Sequence, residues 1–304
     1  RYDRPWSDVF VLQDDLTRNI VSSLALKLSD EQRIQLSRHY TNDLEAYDYF
    51  LRGQAAFYGY SAEDNARARE IYQRAIDRDP DFARAVAALA LTYAFDYRFG
   101  WNDANETSLE RAQELSRKAL AMDDTLPQVQ LVASVEHQFA RDHEGAIKAS
   151  QRAITLDPNY ADAYLAVAFS QTHMGNANGA IGMLEKAMRL NPNTPSIYYV
   201  AMGRALFFTG RLEESRSHLE RAAEMNPTFL ETHVLLVAVW NKIGDQDEVE
   251  WKAAEVLTLQ PDFSVEAWLD NEPLVDLTYA DTLRKSLLRA GLPERPVFVT
   301  PEID

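Results

Sequence analysis

"ADAYLAVAFSQTHMGNANGAIGMLEKAMRLNPNT", residues 161–194, decides the fold. It reads as a helix, a turn at Gly175, a second helix and a stop at Pro192. Ala180 and Ala187 are seven residues apart, which places two small side chains on one helix face where a neighbouring helix can approach closely. Glycine suits the tight turn between helices. Proline ends the unit because it lacks an N–H and disfavours helical geometry in the residue before it.

The same marks recur outward from this stretch. Pro158, Pro192, Pro227 and Pro261 are spaced by 34, 35 and 34 residues, and the wider interval back to Pro80 divides into 44 and 34 about Asp124. Five residues before these six anchors stand Ala75, Ala119, Ala153, Ala187, Ala222 and Val256; twelve before them stand Ala68, Ala112, Ala146, Ala180, Ser215 and Val249. Gly210 and Gly244 repeat the turn position of Gly175. Self-similarity at this period is the signature of a stacked repeat array, in which no unit buries its apolar face alone.

With Tyr164, Val167, Ala168, Gln171, Ala180, Leu184, Ala187 and Pro192 in register, residues 161–194 resemble the tetratricopeptide repeat, a helix-turn-helix unit. The resemblance implies an all-α, right-handed α-solenoid of about six repeats, at 44–82, 83–126, 127–160, 161–194, 195–229 and 230–263. Residues 1–43 are expected to form N-terminal linker and capping helices, and 264–304 a C-terminal capping helix pair with a tail. In the first of these, Val9, Leu12, Leu16, Ile20 and Leu24 recur at helical spacing, and Ser29 to Gln32 reads as a capping box. Asn42 with Glu45 reads as another, opening the first repeat.

The family's inward-facing positions are the second, fifth, ninth, twelfth and thirteenth of each repeat. That register yields a candidate groove of Phe95, Gln138, Phe139, Phe169, Thr172, His173, Arg204, Phe207, Phe208, Asn241 and Lys242, with Gln128, Leu131 and Leu165 on the same face. The paired Lys and Asn positions that hold a C-terminal peptide carboxylate in relatives are not matched, so chaperone-tail binding is disfavoured. The groove suits an extended peptide, a helix or a segment of the protein itself. Ten extra residues in the second repeat carry Tyr97, Phe99 and Trp101. They read either as a projecting aromatic loop that anchors a partner or as a longer first helix whose rings pack on a neighbouring repeat.

Composition excludes several classes. The 304 residues hold 31 Lys and Arg against 47 Asp and Glu, a net charge of −16, which repels phosphate backbones and anionic lipid. Nucleic acid and membrane are therefore not expected partners; a protein or peptide, another domain of the parent chain, or a second copy in a homodimer are. Cysteine is absent, which removes thiolate chemistry and fits a cytoplasmic location. The six histidines have no metal-ligand spacing, and no phosphate-binding loop or nucleophile elbow is present, so no catalytic residue, cofactor or metal is assigned.

The opening Arg1-Tyr2-Asp3-Arg4 and Asp8-Val9-Phe10-x-Leu12-Gln13-Asp14 resemble a junction that joins a small α/β domain to tetratricopeptide repeats in bacterial class III adenylate/guanylate cyclases. "LLRAGLPE", residues 287–294, resembles the terminal cap of the same group. The resemblance implies a non-catalytic interaction and regulatory module, C-terminal in a cyclic-nucleotide signalling protein whose catalytic domain lies upstream of Arg1. Winged-helix transcriptional regulators of bacteria share the junction and the repeats, and stand as the alternative parent.

Overall fold

A computed structural model describes residues 40–101 and 105–295, together with Asp15, Leu16 and Asn19. The expectations for the opening helices and for the tail therefore lie outside the described residues. Within them the chain forms fourteen helices and no strand. Six antiparallel pairs follow one another: α1 (Leu44–Phe57) with α2 (Ala62–Arg78), α3 (Ala83–Phe99) with α4 (Asn105–Met122), α5 (Pro127–Phe139) with α6 (His143–Leu156), α7 (Ala161–His173) with α8 (Ala177–Leu190), α9 (Ser196–Phe208) with α10 (Leu212–Met225), and α11 (Leu230–Ile243) with α12 (Gln246–Leu259). A short α13 (Val265–Asn271) and α14 (Leu277–Arg289) close the array.

The twelve small or β-branched residues of the repeat ladder, from Ala68 to Val256, are all 0–1% exposed. They are the faces on which helices touch, and their size sets the spacing. Gly203 takes this furthest: a Cβ there would stand 2.5 Å from Leu219 Cγ, so α9 and α10 meet almost backbone to side chain.

Polar residues start the second helices. Ser61, Asp142, Asn176 and Asp245 each accept a hydrogen bond from the backbone N–H three residues on. The first helices of later pairs instead start behind buried apolar residues, Phe82, Leu126 and Phe229. At the start of α1 the capping residue is Asp43, which accepts from Ala46 N at 2.9 Å. The expected Asn42 cap is displaced by one residue, because Thr41 Oγ1 accepts from Asp43 N at 3.1 Å and sets Asp43 in the extended geometry a cap requires.

Between the helices of each pair the backbone passes through the left-handed region. Gly100, Gly175, Gly210 and Gly244 do so at φ of +63° to +95°. Tyr60 and Arg141 hold the same place in the first and third pairs at φ of +50° and +63°, without glycine's freedom. Both side chains make contacts a glycine would lack.

First helices pack on first helices, so α1, α3, α5, α7, α9 and α11 form an inner layer. The curl brings the ends of the array together. Phe229, at the start of α11, lies 5.6 Å from the rings of both Tyr60 and Phe99, and Asn226 Nδ2 reaches Gly59 O at 3.5 Å. The second pair thus meets the sixth, and the inner layer encloses space rather than lining an open trough.

Candidate functional site: a divided interior

The interior has two parts. Toward the N-terminal pairs it holds a cavity of about 250 Å³, walled by Phe57, Tyr60, Phe95, Phe139 and Phe169 and rimmed by the half-exposed Tyr58. The rings brace one another: Phe95 stands 4.9 Å from Phe57, 5.5 Å from Phe99 and 5.9 Å from Phe139. Arg84, Gln128, Asp162 and Glu231, each at the second position of its repeat, also line it, as does Ile197.

Toward the C-terminal pairs the same inner face is filled by the chain itself. Residues 272–276, between α13 and α14, run through it as a strap. The backbone N–H groups of Val275 and Asp276 donate to His173 O at 3.0 and 3.1 Å. His143 Nε2 donates to Pro273 O at 2.6 Å, and Arg141 Nη2 donates to Asp270 O and Glu272 O at 2.6 and 3.1 Å. These last bonds account for an arginine in a left-handed turn.

Glu272 is the centre of the strap and is fully buried. Arg204 Nη1 donates to its Oε2 at 2.5 Å, Arg98 Nη2 donates to its Oε1, and Arg204 Nη2 also reaches Glu231 Oε1 at 2.6 Å. Arg98 meets Glu231 at 3.3 Å, so two arginines and two glutamates from α3, α9, α11 and the strap neutralise one another. Burial alone would push the Glu272 carboxyl up, but Arg204 and Arg98 outweigh it and hold it at about 2. His173 moves the other way from its usual value. Burial and then the Arg204 charge depress it strongly, so the ring is neutral and its Nε2 accepts from Arg204 Nη1 at 3.3 Å.

The predicted groove residues divide between these parts. Phe95, Gln138, Phe139, Phe169 and His173 line the cavity. Gln138 Nε2 is spent on Ala166 O and Ser170 Oγ, at 3.3 and 3.0 Å. Arg204 belongs to the charge cluster, and Phe208 is covered by the ring of Tyr279 at 3.9 Å. Thr172 turns back on its own helix, donating to Ala168 O at 2.9 Å, and Phe207 is in the core. Asn241 and Lys242 lie at the end of α11 away from the cavity lining, with Lys242 exposed. As an open peptide groove the set therefore does not hold together, because α14 and the strap occupy its C-terminal half. The aromatic stretch is likewise not a projecting loop. α3 runs to Phe99, whose ring stacks on Trp101 at 4.9 Å and meets Phe229, while Tyr97 packs beside Ala94 and Phe139.

Sequence reasoning missed Arg84, Arg98, Asp162, Glu231 and Glu272. The register that found Gln128 would have found Arg84, Asp162 and Glu231 had it been carried to the second position of every repeat. Among the described residues no group of His, Asp or Glu is placed to hold a metal, and no helix is long and apolar enough to cross a membrane.

Stacked helix pairs of this period, with buried small residues at the crossing points, define an α-solenoid of tetratricopeptide type. The Tetratricopeptide repeat profile matches residues 197–229. Among solved structures, the APC/C hetero-tetramer Cut9-Hcn1 is similar at a TM-score of 0.56, with 13% identity over 92% of this chain and 54% of that one. PilW, a type IV pilus biogenesis factor, is similar at 0.50, with 15% identity over 67% of this chain and 90% of that one. A protein of Rhizobium meliloti (strain 1021) named "Putative adenylate cyclase 3" is 34% identical over 128 residues, which are 42% of this chain and only 22% of the relative.

Proposed function

We propose that this chain is the regulatory and protein-interaction part of a longer bacterial polypeptide whose output domain is an adenylate or guanylate cyclase acting in cyclic-nucleotide signalling. The observation that carries the reading is the 34% identity to the Rhizobium meliloti relative, on a fold whose interior offers packing and ion pairs. The junction-like opening at Arg1 to Asp14 and the cap-like "LLRAGLPE" agree with it. In this reading residues 44–263 are the six-repeat array, the chain itself is non-catalytic and carries no cofactor, and it works in the cytoplasm. Its partner is a protein or peptide, an adjoining domain, or a second copy in a homodimer.

Because the strap fills half of the inner face, partner contact falls to the outer layer. Trp251 on α12, 65% exposed, is the anchor we would remove first. The test is cyclase activity of the parent with and without residues 44–304. The reading expects nucleotide turnover to change on deletion while this chain alone turns over none. An unchanged parent activity, or metal-dependent turnover by this chain, overturns it.

A further inference from the structure

The cavity's size and charges point to a ligand of their own. A cavity of about 150 Å³ lined by apolar side chains takes up benzene. At about 250 Å³ this one has room for a ring and several further atoms, on the order of ten to twelve in all. Its walls supply the apolar environment such a ring needs.

The charges are more informative than the walls. Of the charged side chains at the second repeat position, Glu231 is neutralised by Arg98 and Arg204. Arg84 and Asp162 have no ion pair, either with each other or with another described residue. Arg84 is held in place by stacking, its guanidinium 4.1 Å from the Tyr40 ring centre and 4.9 Å from that of Phe50, while its buried Nε has no hydrogen-bond partner. Asp162 accepts one hydrogen bond, from Tyr198 Oη at 2.5 Å, and burial pushes its carboxyl up. Arg84 and Asp162 line the same cavity, together with Tyr58 and Tyr160. Gln128, also on the cavity wall, has a buried Oε1 with no hydrogen-bond partner among the described residues. Keeping one cation and one anion unpaired in a mostly apolar cavity is unfavourable unless something bridges them.

We propose that the cavity binds a small zwitterion carrying a large apolar group, the class of free aromatic or branched α-amino acids. The ligand carboxylate meets Arg84, its ammonium meets Asp162 and Gln128, and its side chain lies among Phe57, Phe95, Phe139 and Phe169. The occupied cavity would tie the second, third and fourth repeats together, which makes the site a sensory input whatever output domain the parent carries.

The experiment is calorimetric titration and thermal unfolding of the 304-residue chain with L-phenylalanine, phenethylamine, 3-phenylpropionate and toluene. Phenylalanine is expected to bind and raise Tm, with both single-charge analogues at least tenfold weaker and toluene weaker still. Asp162→Asn should weaken phenylalanine at least tenfold while raising the Tm of the free protein, a combination that a purely structural aspartate does not give. Arg84→Gln should weaken phenylalanine and leave phenethylamine unchanged. No binding of phenylalanine at millimolar concentration, or equal binding of toluene or of a single-charge analogue, overturns the proposal. None of these outcomes depends on cyclase activity, so the site and the proposed parent fail separately.

Discussion

The N-terminal and C-terminal halves of the interior are built from the same inner helices yet solve opposite problems. In the C-terminal half every charge has a partner, Glu272 seals the space and the strap supplies backbone hydrogen bonds. In the N-terminal half the rings brace one another around a cavity, and Arg84 and Asp162 on its wall form no ion pair with another described residue. A solenoid that only needed to be stable would have packed both halves alike. The difference separates a part that holds the array shut from a part that keeps a cavity within it.

The comparison breaks most visibly at Arg204. Arg204→Ala leaves Glu231 and Glu272 buried with only Arg98 to offset them, and should cost about 3–5 kcal/mol in denaturant unfolding. A loss under ~1 kcal/mol would mean that the charge cluster does not close the C-terminal half. Next are two phenylalanines of equal size. Phe229→Ala, fully packed between the first, second and sixth pairs, should cost about 3–5 kcal/mol, whereas Phe169→Ala, with one face on the cavity, should fall below that range. Equal losses would remove the distinction between the halves.

Acid should act on the closed half first. His173 is depressed by burial, so its contribution is complete above the ordinary histidine value of 6.5 and is lost as pH falls below it. Glu272, held down by Arg204 and Arg98 against burial, adds a second loss between 4.5 and about 2. Asp162 has the opposite sign, since burial raises it and its penalty is relieved as pH falls. Hydrogen exchange at stepped pH should therefore show the strap opening before the cavity walls; simultaneous opening would contradict the assignment. The smallest effect is expected for Arg141→Gly. Relief of the left-handed turn offsets the loss of two hydrogen bonds to Asp270 and Glu272, so net stability should change by less than about 1 kcal/mol while strap amides exchange faster.

The repeat ladder was legible because close helix crossings demand small residues at fixed offsets, and Ala68 through Val256 obey that rule locally. Gly175, Gly210 and Gly244 announced their turns for a similar reason, while Tyr60 and Arg141 hid theirs, being kept for contacts with distant segments. The strap was not legible at all. "Glu272-Pro-Leu-Val-Asp276" has no helical or strand period, and the partners of Glu272 stand 68 and 174 residues away in the chain. Asp162 and Arg84 were within reach of the register argument, but nothing in their spacing said that they would remain unpaired.

The meeting of Phe229 with Tyr60 and Phe99, and of Glu272 with Arg98, also bears on how the chain is made. A linear array gains stability one neighbour at a time and frays from its ends. Here Arg98 and Arg204 leave the ribosome long before Glu272, so until residue 272 is synthesised the two arginines have only Glu231 to offset them. The strap is thus the keystone of the array's assembly. Chains stopped short of residue 272 should linger in a loose, chaperone-dependent state, and chains that include it should unfold this array in a single cooperative step.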